Sequence, residues 1–228
     1  MPRPVKPGVI FDLDGTLVDS NYLHTLAWAR ALADCGEWAP TNAIHRLVGM
    51  GGDQLVPQLL GQEVPRAAER RSVHYAELIG EVRPFHAAEA MPRTLCSEGL
   101  SVVLATSSPD DELACLLARV GEMGRFDAVT SAGDVPAAKP APDVVPSALE
   151  GADLDASRAV TVGDRAWDVR ASRAAGLPCI GVEPGGFSRH ELAEVGALAV
   201  YRDVAELAAQ LAAQLAAQWR TSPIGGLL

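Results

Sequence analysis

Six short apolar runs separated by helical periodicity constrain this chain more than any other feature. They cover residues 5–11, 101–105, 127–130, 159–162, 179–182 and 197–201, and helical spacing fills 110–120, 143–150 and 168–175 between them. Strands alternating with helices build βαβ units and an open parallel sheet. The expected fold class is therefore α/β, with a Rossmann-like parallel-sheet core. In such sheets ligands bind beyond the carboxyl ends of the strands. The first four runs end there on chemically capable residues: Asp12, Thr106, Ser131 and, after Gly163, Asp164.

One stretch breaks the alternation. Residues 20–87 show helical patterns at 21–35, 54–60 and 66–79 and no convincing strand. They read as a helical cap inserted into a core made of residues 1–19 and 88–228, with junctions near 19–22 and 84–88. Near the C-terminus, Leu-Ala-Ala-Gln repeats with a period of four from Leu207 to Gln218. Leu207, Leu211 and Leu215 form one apolar stripe, suited to docking on the flank of the core more than to a dimer seam. A monomer or homodimer fits this pattern.

Composition excludes several classes. At 48% hydrophobic and 21% charged residues the 228-residue chain is expected to pack and to be soluble. A formal net charge of −10 argues against a nucleic-acid surface, while leaving room for a local anion site. No apolar run is long enough to span a membrane, and Asp12 and Asp14 interrupt the N-terminal apolar stretch, which is therefore not a signal peptide. A cytoplasmic location and a small-molecule partner, with neither nucleic acid nor membrane, are expected. Cys35, Cys96, Cys115 and Cys179 form no Cys-x-x-Cys pair and read as free thiols.

The chemistry concentrates in Phe11-Asp12-Leu13-Asp14-Gly15-Thr16-Leu17-Val18-Asp19-Ser20. Two carboxylates stand two residues apart after an apolar strand, where a continuing strand would place them on one face, and Gly15 lets the chain turn. Asp-x-Asp-Gly alone could be an ordinary turn; the ten-residue stretch is more specific. Thr106 closes the second run. Alone it reads as a helix cap, a task that Ser107 and Ser108 can also take. Ala138-Lys139-Pro140-Ala141-Pro142-Asp143 carries one of only two lysines in the chain. In Gly163-Asp164-Arg165-Ala166-Trp167-Asp168 two carboxylates lie four residues apart, about one helical turn.

These four stretches, in this order, resemble the motifs of the haloacid-dehalogenase-like hydrolases, in the branch with a helical cap between the first and second motifs. That branch includes phosphoglycolate phosphatase-like and β-phosphoglucomutase-like proteins. The resemblance spans roughly residues 8–201. It implies that Asp12 is the nucleophile that forms an aspartyl-phosphate. It further implies that Asp14 is the general acid and then the base, and that its main-chain carbonyl is a metal ligand. Thr106 and Ser107 would bind phosphate oxygens with the backbone amide of Leu13, and Lys139 would stabilise the transferring phosphoryl group. Asp12, Asp14 and Asp164 would hold Mg²⁺, with Asp168 supporting the ion's ligands or reaching it through water. Where many relatives carry a small Ser, this chain has Arg165.

The implied activity is Mg²⁺-dependent hydrolysis of a small phosphate monoester: a sugar phosphate, a polyol phosphate or phosphoglycolate. A β-phosphoglucomutase-like mutase is the alternative. His24 lies where that enzyme has a cap-hinge histidine and could contact substrate or simply pack. The arginine expected after a cap glycine loop is missing from Gly49-Met50-Gly51-Gly52. A non-catalytic scaffold is the third reading, and the complete carboxylate and lysine set opposes it. Arg46, Asp53, Gln54, Arg70 and Tyr75 are the polar cap residues from which specificity could come.

Overall fold

The computed structural model describes residues 6–120, 126–134, 141 and 143–218. Lys139 lies outside them, as do the two prolines that flank it at positions 140 and 142. Six parallel strands form the main sheet: β1 (Lys6–Phe11), β4 (Ser101–Ala105), β5 (Ala128–Thr130), β6 (Leu154–Gly163), β7 (Cys179–Val182) and β8 (Ala199–Tyr201). Their order is β5-β4-β1-β6-β7-β8. The α/β parallel-sheet expectation holds.

Successive residues of β1 feed opposite layers, because side chains alternate across a strand. Val9 and Phe11 join Val102 and Leu104 in one core, and Ile10 joins Val103 and Ala105 in the other. The first core is covered by α5 (Ala90–Ser97), α6 (Asp110–Val120) and α10 (Val204–Gln218). The second is covered by α7 (Val144–Gly151). Burial on both faces explains why these strands read as continuous apolar runs and not as alternating ones. Leu207 and Leu211 enter the first core, so this part of the C-terminal repeat docks on the sheet's flank. The remaining helices of this half are α8 (Ala166–Ala174) and the short α9 (Arg189–Glu194).

Between β1 and β4 the chain forms α1 (Asn21–Asp34), α2 (Thr41–Leu47), α3 (Gly52–Leu60) and α4 (Ala67–Leu78). They share their own apolar cluster, built on Trp28, Leu32, Ile44 and Leu55. The expected helices at 21–35, 54–60 and 66–79 are present, whereas α2 and α5 carried too little periodicity to be recognised. The stretch also contains a strand where none was expected. β2 (Val18–Asp19) pairs antiparallel with β3 (Arg83–Pro84). Two residues are too few to show a period of two. This ribbon brings the two ends of the helical insertion together at the carboxyl end of β1.

The strand order reverses at β1, with β4 on one side and β6 on the other. A crevice opens at such a switch point, and the insertion stands over it. All four cysteines are free thiols. Among the described residues no helix is long and apolar enough to cross a membrane. Leu104 of β4 is fully buried in the first core. Leu104→Ala should cost about 2–5 kcal/mol, read as a lower urea midpoint with an unchanged slope.

Candidate active site

β1 stops after Phe11, and the backbone then folds back on itself. Asp12 still donates to the Val162 carbonyl at 2.9 Å, so it stays registered on β6. The Leu13 carbonyl then accepts from the amides of Thr16, Leu17 and Val18, and Gly15 takes φ +82°. A Cβ at Gly15 would lie 2.4 Å from Asp164 Oδ2, so the motif's glycine serves close approach as well as the turn.

This turn brings the hydroxyl of Thr16 between two carboxylates. It lies 3.2 Å from Asp12 Oδ2 and 3.2 Å from Asp164 Oδ1. Asp12, Asp164 and Asp168 each direct a carboxylate oxygen into one cluster, with these atoms within 4.8 Å of one another. Asp168 joins it while its Oδ2 also accepts from the Arg165 amide at 3.1 Å, at the start of α8. Asn21 Nδ2 donates to Asp164 Oδ2 at 2.8 Å. Burial, and then the charge of Asp168, push Asp164 up to about 6 against the opposing pull of Arg165. An all-oxygen cluster of crowded carboxylates suits a hard divalent cation. Gly185 also faces Asp164, and a Cβ there would lie 1.6 Å from its Oδ2.

Asp14 stands apart from that cluster. Its carboxylate accepts from the hydroxyls of Ser20 and Ser108, each at 2.5 Å, and contacts His24 Nε2 at 3.0 Å. Burial would raise its pKa, but His24, Ser108 and Ser20 outweigh it and hold Asp14 well below the usual carboxylate range. The partners also fix the His24 tautomer. Nδ1 faces Arg71 Nη2, which can only donate. Nδ1 therefore accepts, and Nε2 carries the proton given to Asp14. A neutral ring agrees with its surroundings: burial first, then Arg71 and Arg165, lower its pKa to about 4. The ring stacks on Tyr75 with centroids 3.9 Å apart.

Thr106 ends β4, and its hydroxyl is 3.1 Å from Ser108 Oγ and accepts from the Ser108 amide at 3.0 Å. The Ser107 hydroxyl is buried without a protein partner. Asp12, Asp14, His24, Thr106, Ser107 and Asp168 all line a cavity of about 190 Å³. Its far wall comes from the insertion, through Trp28, the 48–52 loop and Arg71. Arg46, Asp53, Gln54, Arg70 and Tyr75 do not line it. Arg46 pairs with Glu191 and lies over the Phe187 ring, and Tyr75 is buried behind His24.

Five contributors escaped the reading of the sequence. Ser20 closes the first motif, Asn21 follows it and Ser108 follows the second, so each was within reach as a polar residue in or beside a motif. Arg71 lies on the Ala67, Tyr75 and Leu78 face of α4, which is buried. A cation on an apolar helical stripe was its signal. Gly185 had none, because its role appears only when β7 lies beside β6.

The unfolded chain binds a proton at His24 near pH 6.5, and the folded chain only near 4. His24 thus adds stability above about 6.5 that is lost as pH falls toward about 4. Asp164, with a raised pKa, acts in the opposite sense over an overlapping range. The diagnostic quantity is therefore the difference in melting temperature between wild type and His24→Gln. It should shrink steadily from about pH 7 to about pH 4.5; a constant difference would contradict the neutral-ring assignment.

Comparison with known proteins agrees with this geometry. A model of the family described as haloacid dehalogenase-like hydrolase matches residues 7–176. A phosphoglycolate phosphatase of Rhodospirillum rubrum is 32% identical, covering 87% of this chain and 88% of that protein. A plasmid-encoded phosphoglycolate phosphatase of Cupriavidus necator is 34% identical, covering 88% and 91%. A solved hydrolase from Pseudomonas syringae superposes with a TM-score of 0.85 at 28% identity, over 91% of this chain and 99% of that one. With most of its length matched by the family and its carboxylates gathered at the switch point of the sheet, this chain belongs to the haloacid dehalogenase-like hydrolases.

Proposed function

We propose that this protein is a Mg²⁺-dependent phosphatase that hydrolyses a small phosphate monoester through an aspartyl-phosphate on Asp12. That it is a phosphoric-monoester hydrolase follows from its family and its phosphatase relatives. The observation that carries the finer reading is the pairing of two differently treated carboxylate sites in one cavity. Asp12 sits in a crowded acidic cluster suited to a cation, while Asp14, two residues on, is gripped by neutral donors.

Asp12, Asp164 and Asp168 would hold the Mg²⁺, with the Asp14 carbonyl as a further oxygen. When bound, the ion offsets the repulsion between an anionic nucleophile and an anionic ester. A carboxylate oxygen of Asp12 attacks phosphorus as the ester's P–O bond breaks. Asp14 gives its proton to the departing alkoxide. Water then attacks the aspartyl-phosphate, Asp14 takes its proton, and inorganic phosphate leaves. The hydrogen bonds from His24, Ser20 and Ser108 favour Asp14 as the carboxylate that the second half needs. For the first half Asp14 takes a proton from solvent, which an anionic ester beside it favours by penalising a second negative charge.

Thr106, the partnerless Ser107 hydroxyl and the Leu13 amide would hold the phosphate oxygens. Lys139 would add a positive charge to the transferring group. The insertion, residues 20–87, would act as a cap that shields the reaction from bulk water over a core of 1–19 and 88–228. His24 acts here through Asp14, as the donor that holds it. The cavity suits a small phosphorylated metabolite.

Asp12→Asn should abolish phosphate release, by at least about 10³-fold, while leaving the melting temperature within a few degrees. Substantial residual Mg²⁺-dependent turnover would remove the covalent mechanism. Chelator should abolish wild-type activity. Gly185→Ala should displace the Asp164 carboxylate, so it should lose both activity and the rise in melting temperature that Mg²⁺ gives the wild type. A variant that Mg²⁺ still stabilises fully would place the ion elsewhere.

A further inference from the structure

Arg165 is a buried guanidinium with donors left over. It is only 3% exposed, and it lines the cavity together with Asp12, Asp14 and the 48–52 loop. Its Nε lies 3.3 Å from Asp164 Oδ2, and its Nη1 donates to the Val48 carbonyl and reaches the His45 carbonyl at 3.4 Å. Its Nη2, with two N–H groups, has no partner. Burying charged donors without acceptors is costly and calls for an acceptor from outside the protein. The other cavity arginine differs. Arg71 is already paired with Glu112 and bonded to His24.

The insertion is shaped to receive this side chain. Gly49 has φ +94°, and a Cβ there would meet Arg165 Cδ at 2.9 Å. The absence of a side chain at 49 lets a core arginine pass to the carbonyls of the insertion loop. The guanidinium is thereby held between the carboxylate cluster and that loop.

We propose that Arg165 is a specificity-determining residue whose Nη2 binds a second anionic group on the substrate, a carboxylate or a second phosphate, at the end opposite the scissile ester. This rests on the phosphatase reading above and names the substrate class of that site. A planar guanidinium fixed at Nε and Nη1 presents its remaining edge in one orientation, which suits oxyanions.

The test uses three matched esters: 2-hydroxyethyl phosphate with a neutral end, phosphoglycolate with a carboxylate, and ethylene glycol bisphosphate with a second phosphate. The wild type should prefer one or both anionic-ended esters over the neutral one by about 100-fold in kcat/KM, and the preferred arm names the group. Because Arg165 also touches Asp164, the readout is the ratio of kcat/KM between the anionic-ended and neutral esters within each variant: Arg165→Ala should bring that ratio to within about threefold of one, whatever its overall activity. Gly49→Ala should produce the same selective loss through the displaced side chain, which keeps the test open if Arg165→Ala folds poorly. An equal loss on all three esters, or an undiminished preference, would overturn the proposal. If no ester is turned over, the phosphatase reading fails separately. Calorimetric binding of the same esters to wild type and Arg165→Ala then decides, and equal affinity for the neutral and anionic-ended esters in the wild type rejects the Arg165 site.

Discussion

Mutual repulsion among carboxylates is the constraint around which the site is arranged. Asp12, Asp164 and Asp168 approach within 4.8 Å of one another at the floor of the cavity, where little of them is exposed. At an effective dielectric of about 20, each such pair repels by roughly 3 kcal/mol. Thr16 and Asn21 answer part of this by donating to the cluster, and the raised pKa of Asp164 answers another part. What is left over is a standing demand for positive charge. The same demand explains why Gly15 and Gly185 must lack side chains, since the carboxylate of Asp164 fills the space a Cβ would need.

Asp14 shows how one short turn separates two chemistries. It lies two residues from Asp12, yet its oxygens meet two hydroxyls and an imidazole and no second acid. The donors come from different parts of the chain: Ser20 and His24 from the start of the insertion, Ser108 from the end of β4. Assembly of this acid–base group therefore reports that the insertion and the sheet are correctly juxtaposed. Three more links run across the same seam: Arg71 to Glu112, Arg46 to Glu191, and Arg165 to the Val48 carbonyl.

The parallel sheet was legible because strands buried on both faces write themselves as continuous apolar runs, and because the loops after them carry unusual residue pairs. Asp12, Asp14, Thr106 and Asp164 were visible for that reason; the structure sets the first three around one cavity and Asp164 behind it, in the carboxylate cluster with Asp12. Three things were less visible. The β2–β3 ribbon is too short to have a period. The cavity wall contributed by α4 depends on how that helix is rotated, so Arg71 was passed over in favour of Arg46 and Arg70. The role of Arg165 requires knowing that residue 49, distant in sequence, is a glycine lying against it. Lys139 falls outside the described residues.

The two-residue ribbon has a consequence for how such a protein can vary. The helical insertion leaves and rejoins the core through adjacent strands, so in the folded protein its two ends lie side by side whatever packs between them. Loop-closure entropy grows only as the logarithm of length, about 0.6 kcal/mol per doubling. The sheet is thus nearly indifferent to what is threaded between Asp19 and Arg83. Recognition can diverge in that segment at little thermodynamic penalty to the core, provided each new version still offers a hydroxyl and an imidazole to Asp14.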